Sequence, residues 1–207
     1  MTRTFELKKD RTALVIVDMQ NDFVRKDGAM RVDEAFATIE PIQKLIRFAR
    51  ENNIIVVFTR FLSGPVQTHL WKWSPETEAS KNCRRNHKRY YSDIDKTLEC
   101  ADVVDELKPI LPEDYVIDKY GYSSFRNTNL ADVLASEGRD TIIVAGTVTQ
   151  ICVADTVHDA FHLSINAVVA SDCVSSFSEL QQKAILENVA HKYGMVLTSE
   201  EIIEKFS

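Results

Sequence analysis

The chain predicts an α/β protein, a doubly wound, Rossmann-like three-layer sandwich with helices on both faces of about six parallel strands. Three observations carry this. The runs at 12–17, 54–59 and 141–145 are short, continuous and rich in β-branched residues, which marks strands buried on both faces. They alternate with segments whose apolar residues recur at helical spacing, the pattern of βαβ units. No internal repeat, low-complexity tract or linker interrupts the alternation, so residues 1–207 read as a single domain with one irregular excursion at about 60–102.

Composition narrows the function classes. A content of 44% hydrophobic and 27% charged residues is that of an ordinary folded protein, and a net charge of -6 excludes the basic surface that non-specific nucleic-acid binding requires. No run is apolar enough to span a bilayer, and residues 1–10 hold no signal-peptide core, so a cytoplasmic location without membrane attachment is expected. Cys83, Cys100, Cys152 and Cys173 lack C-x-x-C spacing and read as free thiols, with neither a zinc knuckle nor a Cys83–Cys100 disulfide expected.

The first strand, 12–17, ends in Asp18-Met19-Gln20-Asn21-Asp22-Phe23. A carboxylate directly after a buried strand needs a partner, so Asp18 is either a turn cap or part of a site at the carboxyl end of the sheet. Asp22 reads as a cap and Phe23 as core. From Pro41, a residue suited to a helix's first turn, Ile42, Leu45, Ile46 and Ala49 keep helical spacing until Asn52-Asn53 stops the run. The strand at 54–59 completes a right-handed βαβ unit.

The excursion holds Gly64-Pro65, Trp71, Trp73, Ser74-Pro75 and the basic cluster 84–89, and reads as a lid or an interface element. The cluster itself is expected to be a solvated face, with anion steering or a subunit contact as the alternatives. Residues 103–107 read as a short helix before Pro109, and 115–117 as the third strand. That strand leads to Lys119, which is either exposed or the counter-ion of a converging carboxylate. Thr128 caps a helix at 129–137, closed by Gly138. The fourth strand, 141–145, runs through Gly146 into Cys152 and a helix from Asp155. A thiol at a strand-to-helix junction is either inert core or a nucleophile whose pKa the helix N-terminus lowers. A fifth strand at 167–170, a helix at 179–193, a sixth strand at 195–197 and a capping box at Thr198-Ser199-Glu200-Glu201 complete the chain.

Three stretches together resemble the isochorismatase-like cysteine hydrolase family. They are Val15-Ile16-Val17-Asp18-Met19-Gln20-Asn21-Asp22-Phe23, then Asp118-Lys119-Tyr120-Gly121-Tyr122-Ser123-Ser124-Phe125 with Thr128 and Leu130, and Gly146-Thr147-Val148-Thr149-Gln150-Ile151-Cys152-Val153 with Thr156 and Asp159-Ala160. The resemblance covers nearly the whole chain apart from 60–102. It implies the strand order 3-2-1-4-5-6 and a catalytic triad of Asp18 as base, Lys119 as fixed cation and Cys152 as nucleophile. It also implies a non-proline cis peptide at Thr147–Val148 and an oxyanion hole built from the backbone N–H groups of Val148 and Cys152.

Two departures narrow the chemistry. Nicotinamidase-like members carry Asp-x-His after the second strand to bind a metal, whereas Thr59-Arg60-Phe61-Leu62-Ser63 supplies neither ligand and His69 stands alone, so no metal or other cofactor is expected. His158 and His162 share a helix face without a third ligand. Members that cleave the vinyl ether of isochorismate can lack the cysteine, which this chain keeps. The expected activity is therefore hydrolysis of a small amide, carbamoyl or ureido compound through a thioester, by a homo-oligomer, dimer or tetramer. The alternatives are an isochorismatase-type ether hydrolase or a catalytically idle binding domain. Arg60 and Arg126 are candidate partners for a substrate carboxylate, and Tyr122, Phe125 and Gln150 candidate pocket walls.

Overall fold

The computed structural model describes residues 4–64 and 69–206, the side chains of His69 and Trp71 excepted. Pro65 of the expected turn and those two side chains thus lie outside the described residues. The strands are β1 (Thr12–Val17), β2 (Ile55–Phe61), β3 (Lys88–Tyr91), β4 (Lys96–Glu99), β5 (Tyr115–Lys119), β6 (Thr141–Thr147), β7 (Asn166–Ser175) and β8 (Met195–Leu197). Six of them form one parallel sheet in the order β5-β2-β1-β6-β7-β8, which is 3-2-1-4-5-6 when only those strands are counted. β3 and β4 form a separate antiparallel hairpin.

β1 explains why its sequence is apolar throughout. Leu14 and Ile16 join the core on one face, with Ile42, Leu45 and Ile46 of α2 (Ile39–Glu51) and Ile202 of α8 (Ser199–Glu204). Ala13, Val15 and Val17 point to the other, with Leu130 and Leu134 of α5 (Leu130–Ser136), Val157 and Ala160 of α6 (Ala154–His162) and Val189 of α7 (Glu179–Lys192). A central strand with alternate side chains in two cores has no solvated face to pattern with polar residues.

Gly146 sits where β6 meets β1. Its φ of 111° is in the region that favours glycine, and a Cβ there would lie 2.0 Å from Val17 O. Gly146→Ala is expected to destabilise the fold by more than about 3 kcal/mol, because backbone faces the new methyl and the conformation is itself strained for an L side chain. Chemical denaturation checks this, and an unchanged midpoint contradicts it.

The structure corrects several local expectations. The excursion is more ordered than its composition suggests: α3 (His69–Trp73) and α4 (Pro75–Ala79) precede the hairpin. Its basic cluster is paired rather than merely solvated, with Arg84 bonded to Glu78 at 2.6 Å, Arg85 to Asp118 at 2.9 Å and Arg89 to Asp22 at 2.7 Å. Asp22 is accordingly no helix cap. It is fully buried in α1 (Asn21–Val24) and also accepts from Tyr91 Oη at 2.9 Å and Cys83 N at 2.9 Å. This one carboxylate ties three points of the excursion to the end of β1. The segment at 103–107 forms only a 3-10 turn, Asp105–Leu107, and β7 extends well past 170. The capping box of α8 is present as read.

Candidate active site

Three strand ends bring the site together. Asp18 follows β1, Lys119 ends β5, and Cys152 lies in the π-helical turn Thr149–Val153 between β6 and α6. β1 and β6 are neighbours where the strand order reverses, the place at which doubly wound sheets open a crevice. Asp18 and Lys119 are both fully buried and Cys152 is 4% exposed. Asp18 also has φ 52°, a left-handed conformation that aspartate tolerates better than most non-glycine residues, which turns the chain sharply out of the strand.

The carboxylate is held on both oxygens. Thr59 Oγ1 donates to Asp18 Oδ1 at 3.1 Å, and Lys119 Nζ lies 2.7 Å from Oδ2. Lys119 also donates to Gly121 O at 3.1 Å and Tyr122 O at 2.7 Å, so its ammonium is held between two backbone carbonyls and the carboxylate. Its Nζ further lies 5.6 Å from the Phe61 ring centroid. The Cys152 thiol completes the group, interacting electrostatically with both Asp18 and Lys119.

Burial dominates the electrostatics. It raises the Asp18 carboxyl above its ordinary range, an effect that Lys119 and the thiol oppose. Burial alone would depress Lys119, but the charges of Asp18 and Cys152 leave its pKa raised. The thiol is pushed up to about 12, first by burial and then by Asp18, with Lys119 pulling the other way. This corrects the expectation of a thiol acidified by a helix N-terminus: α6 starts two residues beyond Cys152, and desolvation outweighs the dipole. The resting thiol is therefore neutral, beside an ammonium whose pKa is raised. Alkylation of Cys152 by iodoacetamide is expected to be slow at neutral pH and to climb with pH above 9. Peptide mapping by mass spectrometry checks this, and a rate already level at pH 7 contradicts it.

The remaining expected residues divide into two groups. Tyr122 and Phe125 pack in the same apolar cluster as Cys152. Leu70, Trp73, Gly121 and Tyr122 line a cleft of about 450 Å³ beside the carbonyls that hold Lys119. Gln150, by contrast, accepts from Ser176 Oγ at 2.6 Å and donates to Gln181 Oε1 at 3.2 Å, which ties it to the start of α7. Arg60 is held by Asp118 at 2.8 Å and Asp102 at 3.1 Å and lines a different cavity. Arg126 is exposed, with Nε 3.9 Å from Asp159. The Thr147–Val148 peptide is cis, as the resemblance implies, and Val148 is buried. His158 packs against the Tyr193 ring at 4.3 Å. Among the described residues, no three His, Cys, Asp or Glu side chains group as metal ligands.

Sequence reading missed the braces around the site. Thr59 is one; it lies opposite Val17 in the β1–β2 register, so a polar residue at that position was the available signal. Gln20 is another. Its fully buried amide donates to Phe61 O at 2.9 Å and Ala101 O at 2.8 Å and accepts from Phe61 N at 2.8 Å, fastening the end of β2 and the excursion to the Asp18 turn. Thr156 Oγ1 donates to Cys152 O at 2.7 Å and accepts from Ser124 N at 3.0 Å, joining the thiol's turn to the Lys119 loop.

Comparison with known proteins adds relatives to this geometry. The profile of the Isochorismatase domain matches residues 12–201. Ureidoacrylate amidohydrolase RutB of Agrobacterium fabrum (strain C58 / ATCC 33970) is 30% identical over 204 residues, covering 93% of this chain and 88% of the relative. A cysteine hydrolase from Pseudomonas syringae pv. phaseolicola 1448A superposes with TM-score 0.89 at 28% identity, covering 100% of this chain and 97% of its own. N-carbamoylsarcosine amidase from Thermoplasma acidophilum superposes with TM-score 0.75 at 27% identity, covering 92% and 97%.

Proposed function

Since the chain belongs to the isochorismatase-domain family, we propose that it is a cysteine amidohydrolase that cleaves a C–N bond of a small amide, carbamoyl or ureido compound through a thioester on Cys152. The observation that carries the reading is the buried Asp18–Lys119 pair, 2.7 Å apart, grouped with a nearly enclosed thiol that it acts on electrostatically. An ion pair without solvent is weak evidence for stability, because desolvation offsets most of its Coulomb gain. Such a group beside a thiol is instead suited to chemistry. Two of the relatives point the same way in their names, one a ureidoacrylate amidohydrolase and the other an N-carbamoylsarcosine amidase.

The roles follow from which protons are free to move. Lys119 is held by two backbone carbonyls and paired with Asp18, and its pKa is raised, so it stays an ammonium and acts as a fixed charge. Asp18 is raised in pKa yet still paired, which makes it a stronger base than a solvated carboxylate, and it takes the thiol proton as sulfur approaches the carbonyl. The thiolate then forms the S–C bond next to Lys119. The N–H groups of Val148 and Cys152 receive the developing oxyanion, each such donor being worth about 3 kcal/mol in comparable sites. Asp18 returns the proton to the nitrogen as the C–N bond breaks, and the departing amine or ammonia leaves a thioester. Water, deprotonated by Asp18, hydrolyses it and restores the thiol. The three groups titrate as one coupled set.

No metal enters this scheme, because Asp-x-His is missing after β2 and the site's own residues supply base, cation and nucleophile. The test is an ammonia-release screen over small amides, ureas and carbamoyl acids with and without a chelator. Turnover that is unaffected by the chelator and lost in Cys152→Ala is the expected result. Cleavage of an isochorismate-like ether without ammonia release contradicts the reading, and so does turnover that the chelator abolishes.

A further inference from the structure

The turn that carries Cys152 hangs on one carbonyl. Thr147 ends β6 opposite Ser175 in the β6–β7 register, and its Oγ1 donates to Ser175 O at 3.4 Å. Two residues on, Thr149 Oγ1 donates to the same oxygen at 2.9 Å and shares that proton with Gln182 Oε1 of α7 at 3.2 Å. Gln182 Nε2 in turn donates to Val174 O at 3.2 Å, so α7 is fastened to the same end of β7. Thr147, Thr149 and Ser175 are all fully buried. Between the two threonines lies Val148, whose own carbonyl accepts from Ile151 N at 3.0 Å and Val153 N at 3.2 Å, on either side of Cys152. Val148 is thereby held by its neighbours in sequence and by the nucleophile's turn at once.

We propose that Thr149, with Gln182 behind it, is a positioning residue that sets the direction of the Val148 N–H toward the developing oxyanion. This rests on the amidohydrolase reading, in which Val148 N is an oxyanion donor, and adds to it the part of the chain that aims the donor. A buried hydroxyl is costly unless it is bonded, and valine would fill the same β-branched shape without one. Two such hydroxyls meeting on one carbonyl, one on each side of a single residue, leave that residue's peptide unit little freedom to rotate. The Thr147 bond is at the edge of hydrogen-bond length, so Thr149 carries most of the hold. An oxyanion donor contributes only when it already points at the place where charge develops, and a displacement of about 1 Å can cost ~10²-fold in rate. Both residues act through the backbone, not by contact with the reacting atoms.

The experiment compares wild type with Thr149→Val, Thr149→Ser and Gln182→Leu by ammonia release from acetamide, succinamate and 3-ureidopropionate, and by the rate at which iodoacetamide alkylates Cys152 at alkaline pH. Thr149→Val is expected to lower kcat ~10- to 100-fold with KM within about 2-fold of wild type. The acid limb of its pH profile and its alkylation rate should stay where they are, since Asp18, Lys119 and the thiol are untouched. Thr149→Ser, which keeps the hydroxyl, is expected to recover most of the rate. Gln182→Leu is expected to lower kcat ~3-fold or more, and the double variant no further than Thr149→Val alone, because the two act through one hydroxyl. An alkylation rate that falls with kcat, a KM that rises in step, or no recovery in Thr149→Ser overturns the assignment and leaves Thr149 a packing residue. If Thr149→Val does not fold, Gln182→Leu decides alone by the same split between kcat and KM. An undiminished kcat in Thr149→Val overturns it while sparing the amidohydrolase reading, whereas ammonia from none of the three compounds with wild-type protein counts against both.

Discussion

Lys119→Met is expected to abolish turnover at neutral pH, with kcat down by at least ~10³-fold, and to lower stability by about 3–5 kcal/mol. The two effects have one cause. Lys119 is fully buried and supplies the ion pair on Asp18 Oδ2. Methionine keeps the volume and apolar stem but leaves Asp18 with the Thr59 hydroxyl as its hydrogen-bond partner. Burial already raises Asp18, and with the opposing charge gone the raised pKa carries the carboxyl into its protonated form at neutral pH. A protonated Asp18 cannot accept the thiol proton. The kinetics should therefore show a loss that higher pH partly reverses. Measurements of kcat against pH, with denaturation midpoints for the same variant, check this. A variant that is destabilised but retains kcat would remove Lys119 from the chemistry and leave it a structural counter-ion.

Asp18→Asn should match that loss in rate and differ in its pH profile. Asparagine preserves shape and the bond from Thr59 but cannot take a proton, and it leaves the ammonium of Lys119 paired only with the Gly121 and Tyr122 carbonyls. In wild type the base must be ionised, so activity is present above the Asp18 pKa and falls as pH drops through it. Because that pKa is raised, the acid limb of kcat/KM lies above the ordinary carboxylate range. In the variant the limb disappears and the residual rate, ~10³-fold or more below wild type, is flat on the acid side. A variant with the wild-type acid limb would show that another group carries the proton.

How much of this was legible in the sequence depends on how local each signal is. The sheet was readable because a strand with a core on each face must be apolar along its length, as 13–17 and 142–145 are. Asp18 and Lys119 stood out as charges at strand ends, each with a bland reading, turn cap or exposed lysine, until the three motifs were taken together. The braces were not readable in the same way. Gln20 joins residues 41 and 81 positions away, and Asp22 joins residues 61 to 69 positions away, so nothing near either in sequence announces the partner. The hairpin β3–β4 was hidden for the same reason. Its strands are four residues each and mostly polar, and they are held by Arg89 and Tyr91 on Asp22 rather than by an apolar face of their own. Cys152 shows a different limit. Its place before a helix suggested an acidified thiol, but burial depends on what the other strands bring up around it, and burial decides the direction.

The central claim is that Cys152 carries the acyl group between the two half-reactions, and one measurement addresses it most directly. Protein quenched in acid during turnover of a ureido or amide substrate, digested and analysed by mass spectrometry, should carry the substrate's acyl mass on the peptide containing Cys152 and on none of those with Cys83, Cys100 or Cys173. The adduct should vanish when substrate is exhausted. Steady turnover with no adduct on Cys152 at any quench time, together with undiminished activity in Cys152→Ala, would contradict the covalent route.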